Sequence, residues 1–367
     1  VQSERLSHIS TLYPTVPMLE LAETLADRAP GNLSQSFFVA SGTEADETAV
    51  MLAMTHTGSG EIIALRNGYA GRSMLAQSLT AQSSWRVLNT QIAGVKHAHS
   101  PYCYRCDFGL KPETCGLACA KDIENLIRYT TTGRIAGFLA EPIQGVGGFI
   151  VPPDGYFDVA VDIVKKYGGL FICDEVQTGF GRTGGEFWGI DHVGIEPDIM
   201  TMAKGMANGM PAANCMTTPD IAAGLPAHGL TISTFGGNPV SMAAAKATVE
   251  VIDAEDVVMR SERLGGVLRN GLEELQARYP SSIGDVRGKG LMQAIEIVID
   301  EQADNRDPDN ALVGRVFEAA KERGLLLGKG GMFGNVFRIA PPMLISQAEL
   351  EDGLKILGDS LEVSGAK

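Results

Sequence analysis

Short apolar runs alternate with longer amphipathic stretches from about residue 35 to residue 217. "SFFVAS" (36–41), "EIIAL" (61–65), "IAGFLAEP" (135–142), "GLFICDE" (169–175) and "DIMTMAK" (198–204) read as strands. "TEADETAVMLAMTH" (43–56) and "GYFDVAVDIVKKYG" (155–168) keep a helical period, and the second stops at a glycine. Unbroken apolar strands alternating with helices predict an α/β fold with a largely parallel sheet covered on both faces. "NPVSMAAAKATVEVIDAED" (238–256) reads as a long helix leaving that region. The texture then changes. A helix at about 257–279 leads to "IGDVRGKGLMQAIEIVI" (283–299), read as two strands around a Gly-Lys-Gly turn. A helix at about 310–323, the strand "NVFRIAPPM" (335–343) and a final helix from about 347 complete a smaller α+β domain. The expected division is an amino-terminal segment 1–34, a large domain 35–245 and a small domain 246–367.

A chain of 367 residues suits two domains. Its composition, 44% hydrophobic and 20% charged, is that of a globular protein, and no apolar run approaches the ~20 residues of a membrane helix. A net charge of −14 argues against nucleic acid or an anionic membrane as a partner, so any anionic ligand must be held by local features. Six cysteines and no signal peptide suggest a reducing, cytoplasmic setting. The chain begins at Val1 without a methionine, so a missing amino-terminal segment is expected and organellar targeting stays open.

Three strand ends carry the candidate chemistry. The run Leu170–Cys173 ends in the adjacent carboxylates Asp174 and Glu175, where open α/β sheets bind ligands. An ionised acid there needs a positive partner. "TMAKGMANGMP" (201–211) sets Lys204 at the end of a buried strand, ahead of glycines. A lysine stripped of water is a nucleophilic amine, while one that snorkels outward is merely a surface charge. "ASGTEADE" (40–47) turns from a strand through Ser41, Gly42 and Thr43 into a helix. Free amides there bind anions, and the same residues serve equally as a cap, Thr43 with Asp46 or Glu47 near the third position. An acid, an amine and an anion site in one chain are the parts of a pyridoxal 5'-phosphate site: a lysine for its Schiff base, an acid for its pyridine nitrogen, amides for its phosphate.

"ASGTEADE", "EPIQG", "FICDEVQTGFGRTG", "MAKG.ANGMP", "TFGGNP" and "VRGKGL" together resemble the class III (ornithine/4-aminobutyrate-type) aminotransferases, of fold type I, over nearly the whole chain. The resemblance implies that Lys204 carries the Schiff base and Asp174 pairs the pyridine nitrogen. It further implies that Val176 and Tyr69 cover the two ring faces, Gln177 reaches the phenolic oxygen, and Ser41, Gly42 and Thr43 hold the phosphate. Thr234 matches a threonine reaching the phosphate of a neighbouring subunit, implying a homodimer or dimer of dimers. Glu141 is placed near the cofactor, or as a supporting acid that orients its neighbours. Arg182 and Glu186 are expected to stabilise the loop after Gln177. Two positions depart from the family pattern. Ala40 stands where an asparagine often precedes the serine, and Ala70 where a histidine usually follows the aromatic residue.

Arg338, in "VFRIAPP", matches a small-domain arginine that grips a substrate carboxylate, a task suited to its guanidinium fork; an interdomain ion pair is the other reading. The family's 4-aminobutyrate and ornithine branches commonly place a glutamate after "EPIQG" that masks this arginine. Here that position is Val146, and "EPIQGVGGF" with its cysteine-rich insert looks most like the alanine–glyoxylate type 2 branch. The expected reaction moves an amino group from alanine or a β- or ω-amino acid to a small oxo acid such as pyruvate or glyoxylate. The rivals are a 4-aminobutyrate/ornithine-type enzyme using 2-oxoglutarate, a decarboxylase or aminomutase of the same fold, and a non-catalytic cofactor-binding protein. Cys103, Cys106, Cys115 and Cys119 are spaced C-x2-C-x8-C-x3-C, which suits either a zinc knuckle or a loop of reduced thiols; no metal is expected.

Overall fold

The computed structural model describes residues 1–10, 12–225 and 231–367. Seven strands form the sheet of the first unit: β1 (Gln35–Val39), β2 (Ile62–Leu65), β3 (Val95–Ala98), β4 (Gly137–Ala140), β5 (Leu170–Asp174), β6 (Ile199–Met202) and β7 (Ala213–Thr217), in the order β1-β7-β6-β5-β4-β2-β3. The run from β6 to β3 is parallel, and β7 lies antiparallel to both neighbours. The largely parallel sheet expected from the alternation is therefore present, with one reversed strand.

Period-two geometry sends adjacent residues to opposite faces. Leu139 and Ile172 join Ala49, Leu52 and Ala53 of the helix Gly42–Thr57 in one core cluster. Phe138 and Phe171, their neighbours in sequence, stack with centroids 6.1 Å apart, and Phe171 meets Phe157 of the helix Tyr156–Lys166. Each such fully buried side chain is worth about 1.5–3 kcal/mol in transfer free energy.

Strand ends come earlier than the apolar runs suggest. β4 stops before Pro142 and β6 at Met202, so Lys204 lies beyond its strand and opens a short 3-10 turn, Lys204–Ala207. Proline gives no ladder donor, which also confines the strand expected over 335–343 to Val336–Ile339, before Pro341.

The compact units are 1–142, 152–180 and 188–255 for the first, and 143–151, 181–187 and 256–367 for the second. Two stretches inside the range 35–245 thus pack with carboxy-terminal residues. The second unit holds β8 (Ile283–Lys289), β9 (Met292–Asp300), β10 (Asn305–Pro308), β11 (Gly328–Gly330) and β12 (Val336–Ile339). β9 lies between β8 and β12, β11 extends β12, and β10 pairs the far end of β9. The β8–β9 hairpin turns at Gly290 and Leu291. Gly290 sits at φ +53°, and a Cβ there would lie 2.3 Å from the Thr183 carbonyl carbon, so glycine is required. Leu264, Leu268 and Leu272 of the helix Val257–Arg278 pack with Ile295, Ile297, Phe337 and Leu361.

Candidate functional site

β5 ends in a polar fork. Asp174 is 3% exposed, pairs in register with Thr201 of β6, and accepts the Val176 amide at 2.9 Å. Burial pushes its carboxyl up to about 6, against the opposing pull of the Lys204 charge, the Val176 amide and the Thr201 hydroxyl. Glu175, its neighbour, serves a different purpose. It is fully buried and accepts the Thr178 hydroxyl and the amides of Gly189 (2.9 Å) and Ile190 (2.7 Å), tying the chain after β5 together. Burial pushes this carboxyl to about 7.

The helix Gly42–Thr57 is capped by Ser41, whose Oγ accepts the Glu44 amide at 3.3 Å, while Glu44 accepts the Ala40 amide at 2.7 Å. This reciprocal box replaces the expected cap by Thr43 with Asp46 or Glu47. The strand ends at Val39, so the chain turns earlier; Thr43 instead accepts the Arg72 amide at 3.3 Å, and Glu47 accepts the Ser73 hydroxyl. First-turn amides of a helix have no intrahelical acceptor and face outward with the positive end of the dipole. Gly71, at φ +126°, permits the close approach of this turn: a Cβ on it would meet Thr43 Oγ1 at 2.1 Å.

Lys204 adopts φ +37°, in the left-handed region that a long side chain seldom occupies. Its side chain is exposed rather than stripped of water as the apolar strand suggested, because the strand has already ended. Such backbone conformations cost roughly 1–3 kcal/mol and concentrate at functional positions.

These groups meet around one cavity of about 350 Å³, lined by Ser41, Gly42, Thr43, Tyr69, Asp174, Val176 and Lys204. Tyr69 is half-buried, its ring edge-on to Trp85 at 5.5 Å, and its amide donates to Glu141 at 3.1 Å. Glu141, 7% exposed, thus supports the wall from behind. The cavity also holds Asp46, which sequence reasoning read only as a cap partner. The available signal was a charged residue within the buried stripe of its helix, beside Ala45, Ala49 and Val50. Gln177 is half-buried and Thr234 exposed, and neither lines this cavity.

Arg338 belongs to the second unit, half-buried on β12. It donates to the carbonyls of Gly145 (3.4 Å) and Lys329 (3.1 Å) and lies 5.7 Å from the Phe149 ring. Arg182 of the same unit donates to the carbonyls of Leu291 (3.2 Å) and Pro341 (2.6 Å), and burial draws it down to about 10. Cys103, Cys106, Cys115 and Cys119 are half-buried and not joined in disulfides. Burial, with a smaller contribution from Cys103 and Cys115, pushes Cys119 to about 11. Among the described residues no group of three or more His, Cys, Asp or Glu is arranged to hold a metal ion. Among them, too, no helix is long and apolar enough to cross a membrane.

The model of the class-III aminotransferase family matches residues 1–361. The chain is 43% identical over 366 residues to an Arabidopsis thaliana protein named alanine–glyoxylate aminotransferase 2 homolog 2, mitochondrial, covering 100% of this chain and 74% of that one. It is 36% identical over 356 residues to the leucine/methionine racemase of Thermococcus litoralis, covering 96% and 79%. A crystallised Bacillus anthracis aminotransferase superimposes with a TM-score of 0.91 at 31% identity, over 99% of this chain and 83% of that one. Fold and relatives define a pyridoxal-phosphate-dependent transferase. The chain belongs to the class III aminotransferases, and its activity is the transfer of an amino group between an amino donor and an oxo acid.

Proposed function

We propose that the cavity of the first unit is the cofactor site. Its carrying observation is that a buried acid, an exposed lysine amine and a helix start line the same space. Ser41, Gly42 and Thr43 would hold the phosphate, Asp174 the pyridine nitrogen, Val176 and Tyr69 the ring faces, and Lys204 the covalent link, while Gln177, outside the lining, keeps no assigned contact. The residues fit the group. A Cβ on Gly42 would lie 3.3 Å from Val176 and 3.6 Å from Ala203, filling the floor of the cradle. Asp174, raised by burial, gains by facing a cation.

Pyridoxal phosphate supplies the electron sink that makes loss of a proton from the donor carbon feasible. Lys204 Nζ, at the rim of the same cavity, would take that proton and return it. The Asp174 carboxylate would hold a proton on the ring nitrogen. Glu141 fixes the Tyr69 segment through its amide.

For the substrates, we propose that Arg338 grips the carboxylate of a small acceptor, so that pyruvate or glyoxylate is preferred to 2-oxoglutarate, with alanine or a β- or ω-amino acid as donor. Val146, whose carbonyl accepts the Gly331 amide at 3.0 Å, brings no carboxylate to mask Arg338. The name of the Arabidopsis relative supports the same acceptor class. Comparison of kcat/KM for the three acceptors tests this; a clear preference for 2-oxoglutarate overturns it. The racemase among the relatives makes a second reading worth separating: a donor that inverts without consuming an acceptor marks racemisation. Thr234 is proposed to serve the partner's phosphate in a homodimer, a reading supported by the exposed Ile232 and Phe235 that flank it.

A further inference from the structure

Two carboxyl groups, Asp46 and Asp174, and one lysine line this cavity, and a third acid, Glu141, holds the Tyr69 segment of its wall. Asp46 is 2% exposed, and the acids acting on it are Asp174 and Glu141, with Lys204 as the opposing cation; Cys215 also faces it. Ionising neighbouring buried acids is costly, which favours a proton on one of them. The hydrogen-bond partners say which. Asp174 accepts the Val176 amide, and an amide can only donate; Glu141 accepts the Tyr69 amide and stands apart from the pair that meets at Thr201. Thr201 donates its hydroxyl to Asp46 Oδ1 at 2.8 Å, and because a hydroxyl hydrogen can turn and its oxygen also accepts, the same contact can run with Asp46 as donor. Thr201 is fully buried and stands in register with Asp174, so the two side chains share one face of the sheet.

We infer that Asp46 is a neutral positioning acid: its O–H donates to Thr201 Oγ1, which turns the Thr201 hydrogen onto the Asp174 carboxylate. The chain Asp46–Thr201–Asp174 then has one direction, and each bond polarises the next. Its effect is to keep the proton on Asp46 and the charge on Asp174, where a cation is to be paired. Were Asp46 ionised, it would capture the single Thr201 hydrogen and deprive Asp174 of that donor. Burial and the nearby Asp174 charge both push the Asp46 carboxyl well above the ordinary range, in keeping with this assignment.

The inference rests on the cofactor reading, and the test separates the two. In cofactor-free protein near neutral pH, an infrared difference spectrum between wild type and Asp46→Asn is expected to contain a protonated-carboxyl band that the variant lacks. A carboxylate band in its place overturns the inference whatever the cavity binds. With pyridoxal phosphate added, failure of the wild type to develop the absorbance of a lysine-linked cofactor overturns the cofactor reading instead. In loaded protein, Asp46→Asn exchanges one neutral group for another, so the pH midpoint of the acid limb of the cofactor's absorbance stays in place. A shift of about one pH unit, as expected for loss of a charge, refutes the neutral state. Thr201→Val removes the donor to Asp174 and is expected to raise that midpoint by about one unit. Asp46→Leu is expected to move it in the same direction, and an unmoved midpoint in a folded Asp46→Leu protein overturns the positioning role. Should Asp46→Leu not fold, the infrared band and Thr201→Val still decide: a Thr201→Val midpoint equal to wild type refutes the chain.

Discussion

At φ +37°, Lys204 spends backbone energy that a glycine in its place would not. Lys204→Ala is expected to remove transamination and any borohydride-reducible link to the cofactor while the protein still folds. A reducible link in that variant would place the attachment on another lysine. Lys204→Gly should lose activity equally, yet unfold at higher denaturant than Lys204→Ala, by about 1 kcal/mol. Equal midpoints would show that the turn relaxes once the lysine is gone. At Asp174 the charge matters more than the shape. Asp174→Asn keeps an oxygen for the Val176 amide, so the variant should bind cofactor and turn over at least about a hundredfold more slowly. Near-normal turnover would remove Asp174 from the assigned role.

At the level of the element, the carboxyl end of β5 places two acids on opposite sides of the strand, one facing the cavity and one tying the following chain. Both are raised by burial, Asp174 from 3.8 to about 6 and Glu175 from 4.5 to about 7. Each binds its proton more tightly folded than unfolded. Their stabilising contribution is therefore complete below about pH 4 and lost as pH rises through about 6 and 7. The expected result for cofactor-free protein is that Asp174→Asn removes part of this decline, about 1.4 kcal/mol between about pH 5 and about pH 8. Urea denaturation at the two pH values measures it, and an unchanged slope would show that Asp174 is not held in a desolvated site.

For the whole molecule, the exposed segment around Thr234 carries the prediction of assembly. Ile232 and Phe235 are 53% and 62% exposed, an apolar pair that a partner surface would cover. Sedimentation of the full-length protein is expected to give a dimer or a multiple of it. Thr234→Ala should weaken cofactor binding about tenfold if its hydroxyl completes a neighbour's phosphate site. A monomer with full cofactor affinity would remove Thr234 from that site.

The amino-acid order by itself determined the strands β1, β2, β4 and β5 to within a few residues, the helices Gly42–Thr57 and Tyr156–Lys166, and the strand-end motifs by which the family is recognised. These features are local: an apolar period, a glycine stop and an acid after a strand act on a segment without reference to distant chain. What the tertiary structure decided is everything that depends on who lies opposite. β7 runs against its neighbours, and the polar spacing of β3, "VKHA", made no apolar run to read. Residues 143–151 and 181–187 cluster with the second unit because their partners are carboxy-terminal, as in the Gly331 amide on the Val146 carbonyl and Arg182 on that of Pro341. Asp174 and Glu175, adjacent and alike in sequence, acquire different surroundings only once the strand alternates between two faces. Asp46 shows the limit most clearly: its neighbourhood marks it as a charge in an apolar stripe, but its contact with Thr201, 155 residues away, is set by packing of the helix on β6.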